Sequence, residues 1–403
     1  MAARALVRML LVALAVVLAG CMAPPPLSAP EGVRLTPLRT ISTLEARVLL
    51  RLTGVKGLRV AYAVDCYRME YGPPGARLSG LLALPHGARA RRLVSFQHGT
   101  ATTRTAVPSK PDGTGLAAAI VFAGNGYALV APDYPGMGVS PGRHPYYVAQ
   151  AIGPAVAAMI EAAQGVEGVP DAPVFLSGFS EGGWASLAAL RALEARGRPV
   201  LGSAQVAGAY DLRRVSLPAA MQGRAASDSL YLAYAAWGMS AWYGRRLDSV
   251  LMPEYAQTVD RVFAGAKPQD IQKALPADPR RMFNAGFLDA FDHGKPHWYL
   301  DAFAVNGLTG VTPRAPVRLY YGSKDVDVLP QEALGAARVM AARGADVKAV
   351  DVGPVGHEPS MLAAAPRILA WLAELERVSG RAGPGPAASP APPPPRPDPP
   401  RPG

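Results

Sequence analysis

The chain has 403 residues, of which half are hydrophobic and 18% charged, a balance that excludes an intrinsically disordered protein and allows a sizeable core. Its formal charge of +11 comes mostly from scattered arginines; the tightest group, Arg89, Arg91 and Arg92, has no interleaved aromatics for base stacking, so it reads as a solvated basic surface and nucleic acid is not an expected partner. The length suits one large α/β domain with an insertion or two ordinary domains.

Residues 1–21 carry Arg4 and Arg8 ahead of an apolar run that ends in small residues, the layout of a secretory signal and too short for a spanning helix. The ending Leu18-Ala19-Gly20-Cys21 resembles the bacterial lipobox, in which the cysteine is acylated and becomes the mature N-terminus. Each buried CH₂ contributes about 0.8 kcal/mol, so a multiply acylated Cys21, palmitate included, would hold the protein to a membrane without any transmembrane helix. Met22 follows where some bacteria place an inner-membrane retention aspartate, which makes the outer membrane of the cell envelope the expected destination. Residues 22–30 are Pro-rich and read as a stiff extended spacer lifting the body off the lipid. The second cysteine, Cys66, lies in an alternating run and reads as a small buried core thiol, with no disulfide framework to join.

From there short apolar runs alternate with helical patterns, the signature of a doubly wound, mainly parallel sheet. Eight strands are predicted: Leu58–Tyr71, Leu78–Leu84, Leu93–Gln97, Tyr127–Ala131, Val174–Ser177, Gly202–Val206, Val317–Tyr321 and Val347–Val352. Helices are expected near 114–123, 147–163, 181–196, 331–343 and 359–377. The alternation breaks over 213–315, which reads as a helical cap insertion; 31–212 and 316–378 would then form the catalytic body. Residues 379–403 are Gly, Ala, Pro and Arg apart from two serines and one aspartate, with too little apolar content to offset their own ordering entropy, so a disordered tail is expected.

Gly178-Phe179-Ser180-Glu181-Gly182-Gly183 follows one predicted strand and opens a helix. That is the setting of a nucleophile elbow: glycines permit a tight turn, and the Ser180 hydroxyl projects past the sheet at a helix N-terminus. A serine hydroxyl is a weak nucleophile until a histidine takes its proton and a carboxylate fixes that histidine. After Ser180 the candidates are His357, between the last strand and the last helix, and the pair His293 and His297; position favours His357. The preceding strand is followed by two carboxylates, Asp325 and Asp327. A developing oxyanion needs two fixed donors, the first being the backbone N–H of Glu181.

His293 and His297 have ligand spacing for a helix, with Asp289, Asp292 and Asp301 near, but Gly294 and Pro296 between them would break that helix, so no metal is expected. Met221, Tyr231, Tyr234, Trp237, Met239, Trp242 and Tyr243 in the insertion could line a substrate pocket or form the insertion's own core.

Six segments in order, Gln97–Thr100, Asp133–Ser140, His144–Tyr146, Gly178–Gly183, Gly322–Asp325 and Gly356-His357, make the chain resemble the α/β-hydrolases over residues 58–377. Among them it is most similar to bacterial secreted esterases and lipases of the secretory lipase A type. The resemblance implies the order serine, acid, histidine, selects Asp325 over Asp327, and nominates the Thr100 backbone N–H as the second oxyanion donor, with His98 structural. It implies a small-molecule carboxylic ester with an apolar acyl or alcohol part as substrate, an acyl-enzyme on Ser180, and no cofactor. A serine exopeptidase of the same fold and an inactive binding lipoprotein are the alternatives. Glu181 departs from the pattern, since many relatives carry an amide or small residue there; its side chain is expected to complement the helix N-terminus.

Overall fold

A computed structural model describes residues 23–54, 57–73, 75–110, 113–266 and 268–381. Cys21, the expected lipidation residue, and nearly all of the tail lie outside them. The described strands are β1 (Arg34–Ile41), β2 (Val64–Tyr71), β3 (Leu78–Pro85), β4 (Leu93–Gln97), β5 (Ala128–Pro132), β6 (Val174–Phe179), β7 (Val200–Val206), β8 (Val317–Tyr321) and β9 (Val347–Asp351). They form one sheet in the order β1-β2-β3-β5-β4-β6-β7-β8-β9. β1, β2 and β3 pair antiparallel, as do β3 and β5. The other pairs are parallel. Strands β4, β5 and β6 are buried at every residue, which is why their sequences read as unbroken apolar runs: helices cover both faces.

The main helices are α1 (Thr43–Leu52), α2 (Gly113–Phe122), α3 (Ala149–Ala163), α4 (Glu181–Ala195), then α5 (Asp228–Trp242), α6 (Pro253–Phe263), α7 (Pro268–Ala274), α8 (Ala285–His293) and α9 (Trp298–Val305), and finally α10 (Pro330–Ala341) and α11 (His357–Arg381). One apolar layer joins the sheet to α3, α4, α10 and the insertion. The other joins it to α1, α2 and α11. Between β7 and β8 the described regular elements are helices apart from one bridge, Leu251 to Phe283, in keeping with a helical insertion.

Several expectations need correction. The sheet has nine described strands rather than eight: β1 was missed because Pro37 and four arginine or threonine side chains interrupt its pattern. Pro37 cannot donate to a ladder, and the register shifts between Pro37 and Arg39, a disruption that an edge strand tolerates. The predicted strand from Leu58 starts only at Val64, because the N–H groups of Ala61 and Tyr62 bond to the Gly124 carbonyl instead of to a neighbouring strand. The spacer does not stand clear of the body: Pro24 is buried, the Tyr67 hydroxyl donates to the Pro25 carbonyl at 2.8 Å, and Ser28 and Glu167 exchange two hydrogen bonds. Cys66 is a buried free thiol that burial pushes up to about 12.

One residue links the insertion to both helices behind the nucleophile. Asn306, 1% exposed, accepts from the Ala149 N–H on its side-chain oxygen at 2.9 Å and so satisfies the first turn of α3, and its backbone carbonyl accepts from the Trp184 indole of α4 at 2.9 Å. Its amide donates to the Tyr243 hydroxyl. Asn306→Ala orphans a buried N–H and the Tyr243 partner together. A destabilisation of about 1–3 kcal/mol is expected in urea unfolding, and a shift near zero would show that the link carries no stability.

Candidate active site

The crowding at the end of β6 dictates the geometry. Ser180 adopts φ 58° and ψ −124°, a backbone conformation that costs a non-glycine residue energy unless its surroundings impose it. They do: a Cβ on Gly178 would lie 2.2 Å from the Gly182 carbonyl oxygen, and one on Gly182 would lie 1.9 Å from the Gln97 carbonyl oxygen. Both positions therefore require glycine, and the chain passes from strand to helix with the end of β4 pressed against the first turn of α4. The Ser180 N–H donates to the Val206 carbonyl at 2.9 Å, anchoring the turn to β7. The serine remains 7% exposed, at the floor of a cavity.

His357 is the first residue of α11 rather than a member of a free loop. Its Nε2 lies 2.8 Å from Ser180 Oγ, and its Nδ1 lies 2.7 Å from Asp325 Oδ2. The other Asp325 oxygen accepts from the N–H groups of Asp327 and Val328, both at 3.0 Å, so the carboxylate is gripped by its own turn. That turn closes through the Asp325 N–H to the Gly322 carbonyl, and a Cβ on Gly322 would sit 2.3 Å from the Val355 carbonyl oxygen. The second carboxylate on the loop, Asp327, turns the other way and accepts from the Ser227 hydroxyl of the insertion at 2.5 Å. The two acids thus have separate partners.

The segment after β4 reaches the same point. Gly99 packs so closely on the elbow that a Cβ there would lie 3.3 Å from Ser180 Cβ. Thr100 lines the cavity, and its hydroxyl meets the Tyr146 hydroxyl at 2.8 Å. His98 stacks on Tyr134 with ring centroids 4.3 Å apart, its Nδ1 is 2.7 Å from the Gly99 carbonyl, and burial holds it below the usual histidine range, a neutral ring supporting the loop. Asp133 braces the following segment by accepting from Ser79 Oγ and the Ser109 N–H. Burial raises its carboxyl, and these hydrogen bonds oppose the shift.

The cavity measures about 650 Å³ and opens over Ser180. Small and apolar residues, among them Ala101, Ala106, Val107, Phe179 and Leu230, form much of its wall, and Glu358 is its one carboxylate-bearing lining residue. Of the insertion's aromatic and methionine candidates only Tyr231 lines it. Met221, Tyr234, Trp237 and Met239 are buried in the apolar layer that the insertion shares with the sheet, α3 and α4, and Trp242 is 45% exposed. Ser227 and Gln272 complete the insertion's share, and neither carries a signal that sequence patterning could have used.

Two further placements differ from expectation. The Glu181 side chain does not address the helix N-terminus; it is fully buried, and its Oε1 lies 2.8 Å from His144 Nε2. His293 and His297 have separate local tasks: Gly294 at φ 66° ends α8 just after His293, which pairs with Asp289, and His297 Nδ1 accepts from the Tyr299 N–H to cap α9. Among the described residues no three His, Cys, Asp or Glu side chains are grouped to hold a metal ion.

No protein-family model matches the sequence, and a search of curated proteins returns no match. Among solved structures, a candidate hydrolase of Legionella pneumophila superposes with a TM-score of 0.75 at 23% identity, covering 88% of this chain and 99% of its own. The rice cell wall degrading esterase LipA of Xanthomonas oryzae, in a ligand-bound form, gives 0.71 at 22% identity, covering 89% and 98%. Candida antarctica lipase A in its closed state gives 0.64 at 12% identity, covering 89% and 85%. The strand order, the elbow after β6 and these similarities together make this chain an α/β-hydrolase in fold.

Proposed function

We propose that the protein is a serine hydrolase that cleaves carboxylic esters through an acyl-enzyme on Ser180. The observation that carries this reading is the continuous hydrogen-bonded chain from Ser180 Oγ through His357 to Asp325, at 2.8 and 2.7 Å, on the floor of the cavity. His357 Nε2 takes the serine proton as Oγ attacks the ester carbonyl, then returns it to the leaving alcohol; a water repeats the sequence to release the acid. Asp325 fixes the ring with Nδ1 protonated and stabilises the imidazolium. The N–H groups of Thr100 and Glu181 receive the oxyanion. An apolar acyl or alcohol group suits the small and aliphatic wall, and the esterase and lipase among the structural neighbours support the same substrate class. The chemistry needs no cofactor.

Ser180→Ala should lower the turnover of p-nitrophenyl esters by about 10³ or more and abolish labelling by a fluorophosphonate probe, while thermal melting stays that of the parent. Near-normal turnover in that variant would remove Ser180 from its role. Faster cleavage of aminoacyl anilides than of any ester in a chain-length series would instead make the protein a peptidase, and a probe that fails to label the parent would leave a binding protein.

The two acids separate cleanly by substitution. Asp325→Asn replaces a gripped carboxylate with a group that can donate to Nδ1, so His357 settles in the wrong tautomer; a loss on the order of 10⁴, the size this change causes in a serine protease, is expected. Asp327→Asn loosens only the Ser227 contact and should cost less than about tenfold, with its effect seen in stability. The reverse ordering of kcat would move the role to Asp327.

We also propose that acylated Cys21 anchors the protein to the bacterial envelope, the outer membrane being the favoured destination from Met22. Among the described residues no helix is long and apolar enough to cross a membrane. Residues 23–30 lie along the body, so the anchor would hold the surface around Tyr67 and Glu167 close to the lipid. Cys21→Ser should move the protein out of the membrane fraction and alter its mobility; unchanged partitioning would require a different anchor.

A further inference from the structure

Directly beneath the proposed oxyanion site lies a buried pair that the reaction scheme does not use. Glu181 and His144 are 0% and 2% exposed, and they meet through Oε1 and Nε2 at 2.8 Å. His144 Nδ1 is 3.0 Å from the Pro135 carbonyl, which can only accept, so Nδ1 carries a proton. The contact with Glu181 then admits two arrangements. Either Nε2 also carries a proton and donates to a carboxylate, or Nε2 accepts from a neutral carboxylic acid. A bare Nε2 facing a carboxylate would set two acceptors against each other at hydrogen-bond distance, and an imidazolium facing the carbonyl oxygen of a carboxylic acid would put the acid proton on Oε2, which has no acceptor among the described residues. Both allowed arrangements place one proton on the shared bond and sum to no charge.

That neutrality matters because the N–H of the same residue, Glu181, is a proposed oxyanion donor. An unpaired carboxylate a few ångströms from a developing oxyanion in a buried setting would oppose catalysis by about 10- to 100-fold. The glutamate Oε2 has no hydrogen-bond partner among the described residues, so nothing else offsets a charge there. The titratable groups around the pair come from three elements. His98 belongs to the segment after β4, Tyr134, Tyr146 and Tyr147 to the segment after β5, and Tyr234 to α5; burial raises these tyrosines and lowers His98, so all five are neutral. Asp133, Arg104 and Glu332 are the charged side chains that act on these rings from further out. The pair also ties the two donors together: His98, Tyr134 and His144 form one stack, with centroids 4.3 and 5.6 Å apart, running from the Thr100 loop to Glu181.

We infer that His144 is a positioning residue which, by sharing one proton with Glu181, keeps the oxyanion site free of a neighbouring negative charge and holds its two donors in register. This inference rests on the proposed ester hydrolysis at Ser180. It is tested with His144→Asn, whose amide still reaches Pro135 but not Glu181, and with the double variant His144→Asn/Glu181→Gln. Both variants are assayed for kcat and KM on a p-nitrophenyl ester. In the single variant Glu181 loses the partner that shares its proton, so kcat should fall about tenfold or more with little change in KM. The double variant has no carboxyl group there and should turn over about tenfold faster than the single one. An unchanged kcat in the single variant, or a double variant no faster than it, would overturn the inference without touching Ser180, whose fluorophosphonate labelling reports the reaction independently. Should His144→Asn fail to fold, nitrogen-15 NMR of the parent decides: the His144 ring should carry a proton on Nδ1 and share a second with Glu181 at Nε2, and an Nε2 with no shared proton would overturn the pair.

Discussion

The close approach of the Gln97 carbonyl to Gly182, with no room for a Cβ between them, fixes how the end of β4 meets the start of α4. Ser180 is held at positive φ within that contact, Gly99 lies against its Cβ, and the Ser186 hydroxyl bridges the Gln97 side chain and the Gly182 carbonyl at 2.7 and 2.8 Å. The strain at the serine is therefore carried by packing on three sides. The two segments that supply the proposed oxyanion donors touch here before any substrate arrives, which is the preorganisation that electrostatic stabilisation requires.

The loop after β8 gives the site its second fixed point. Asp325 faces His357, while Asp327, two residues on, holds Ser227 of the insertion. A few residues further, buried Glu332 accepts from the N–H groups of Tyr210 and Asp211 and from Ser216 Oγ, at the point where the chain leaves β7 for the insertion. Burial raises the Glu332 carboxyl, and these three donors oppose that shift. The insertion is thus tied to the same short segment that presents the proposed acid. Ser227, which lines the cavity, is therefore hydrogen-bonded to the same loop that holds Asp325 against His357.

Much of this was readable from residue order. The core strands announce themselves because burial on both faces leaves unbroken apolar runs, and the elbow does so because only glycine fits beside a strained serine. Edge strand β1 was not readable, since one exposed face and Pro37 remove both signals. The choice between Asp325 and Asp327 turns on which way one loop directs two identical side chains, and local patterning holds no such information until the Ser227 contact is seen. The Glu181–His144 pair was hidden for a related reason: its members are 37 residues apart, and a carboxylate in the first turn of a helix is expected to complement its N-terminus until the aromatic stack beneath the elbow is in place. The spacer misled because its composition reports stiffness and not the hydrogen bonds at Pro25 and Ser28 that dock it.

The account stands on a covalent intermediate at one side chain. The most direct measurement is intact-mass and peptide mass spectrometry on protein acid-quenched during turnover of a p-nitrophenyl ester. The account predicts a mass increase equal to the acyl group, located on the peptide containing Ser180 and absent from Ser180→Ala. Steady ester turnover with no acyl adduct in time-resolved quenches, or an adduct on any other residue, would contradict it.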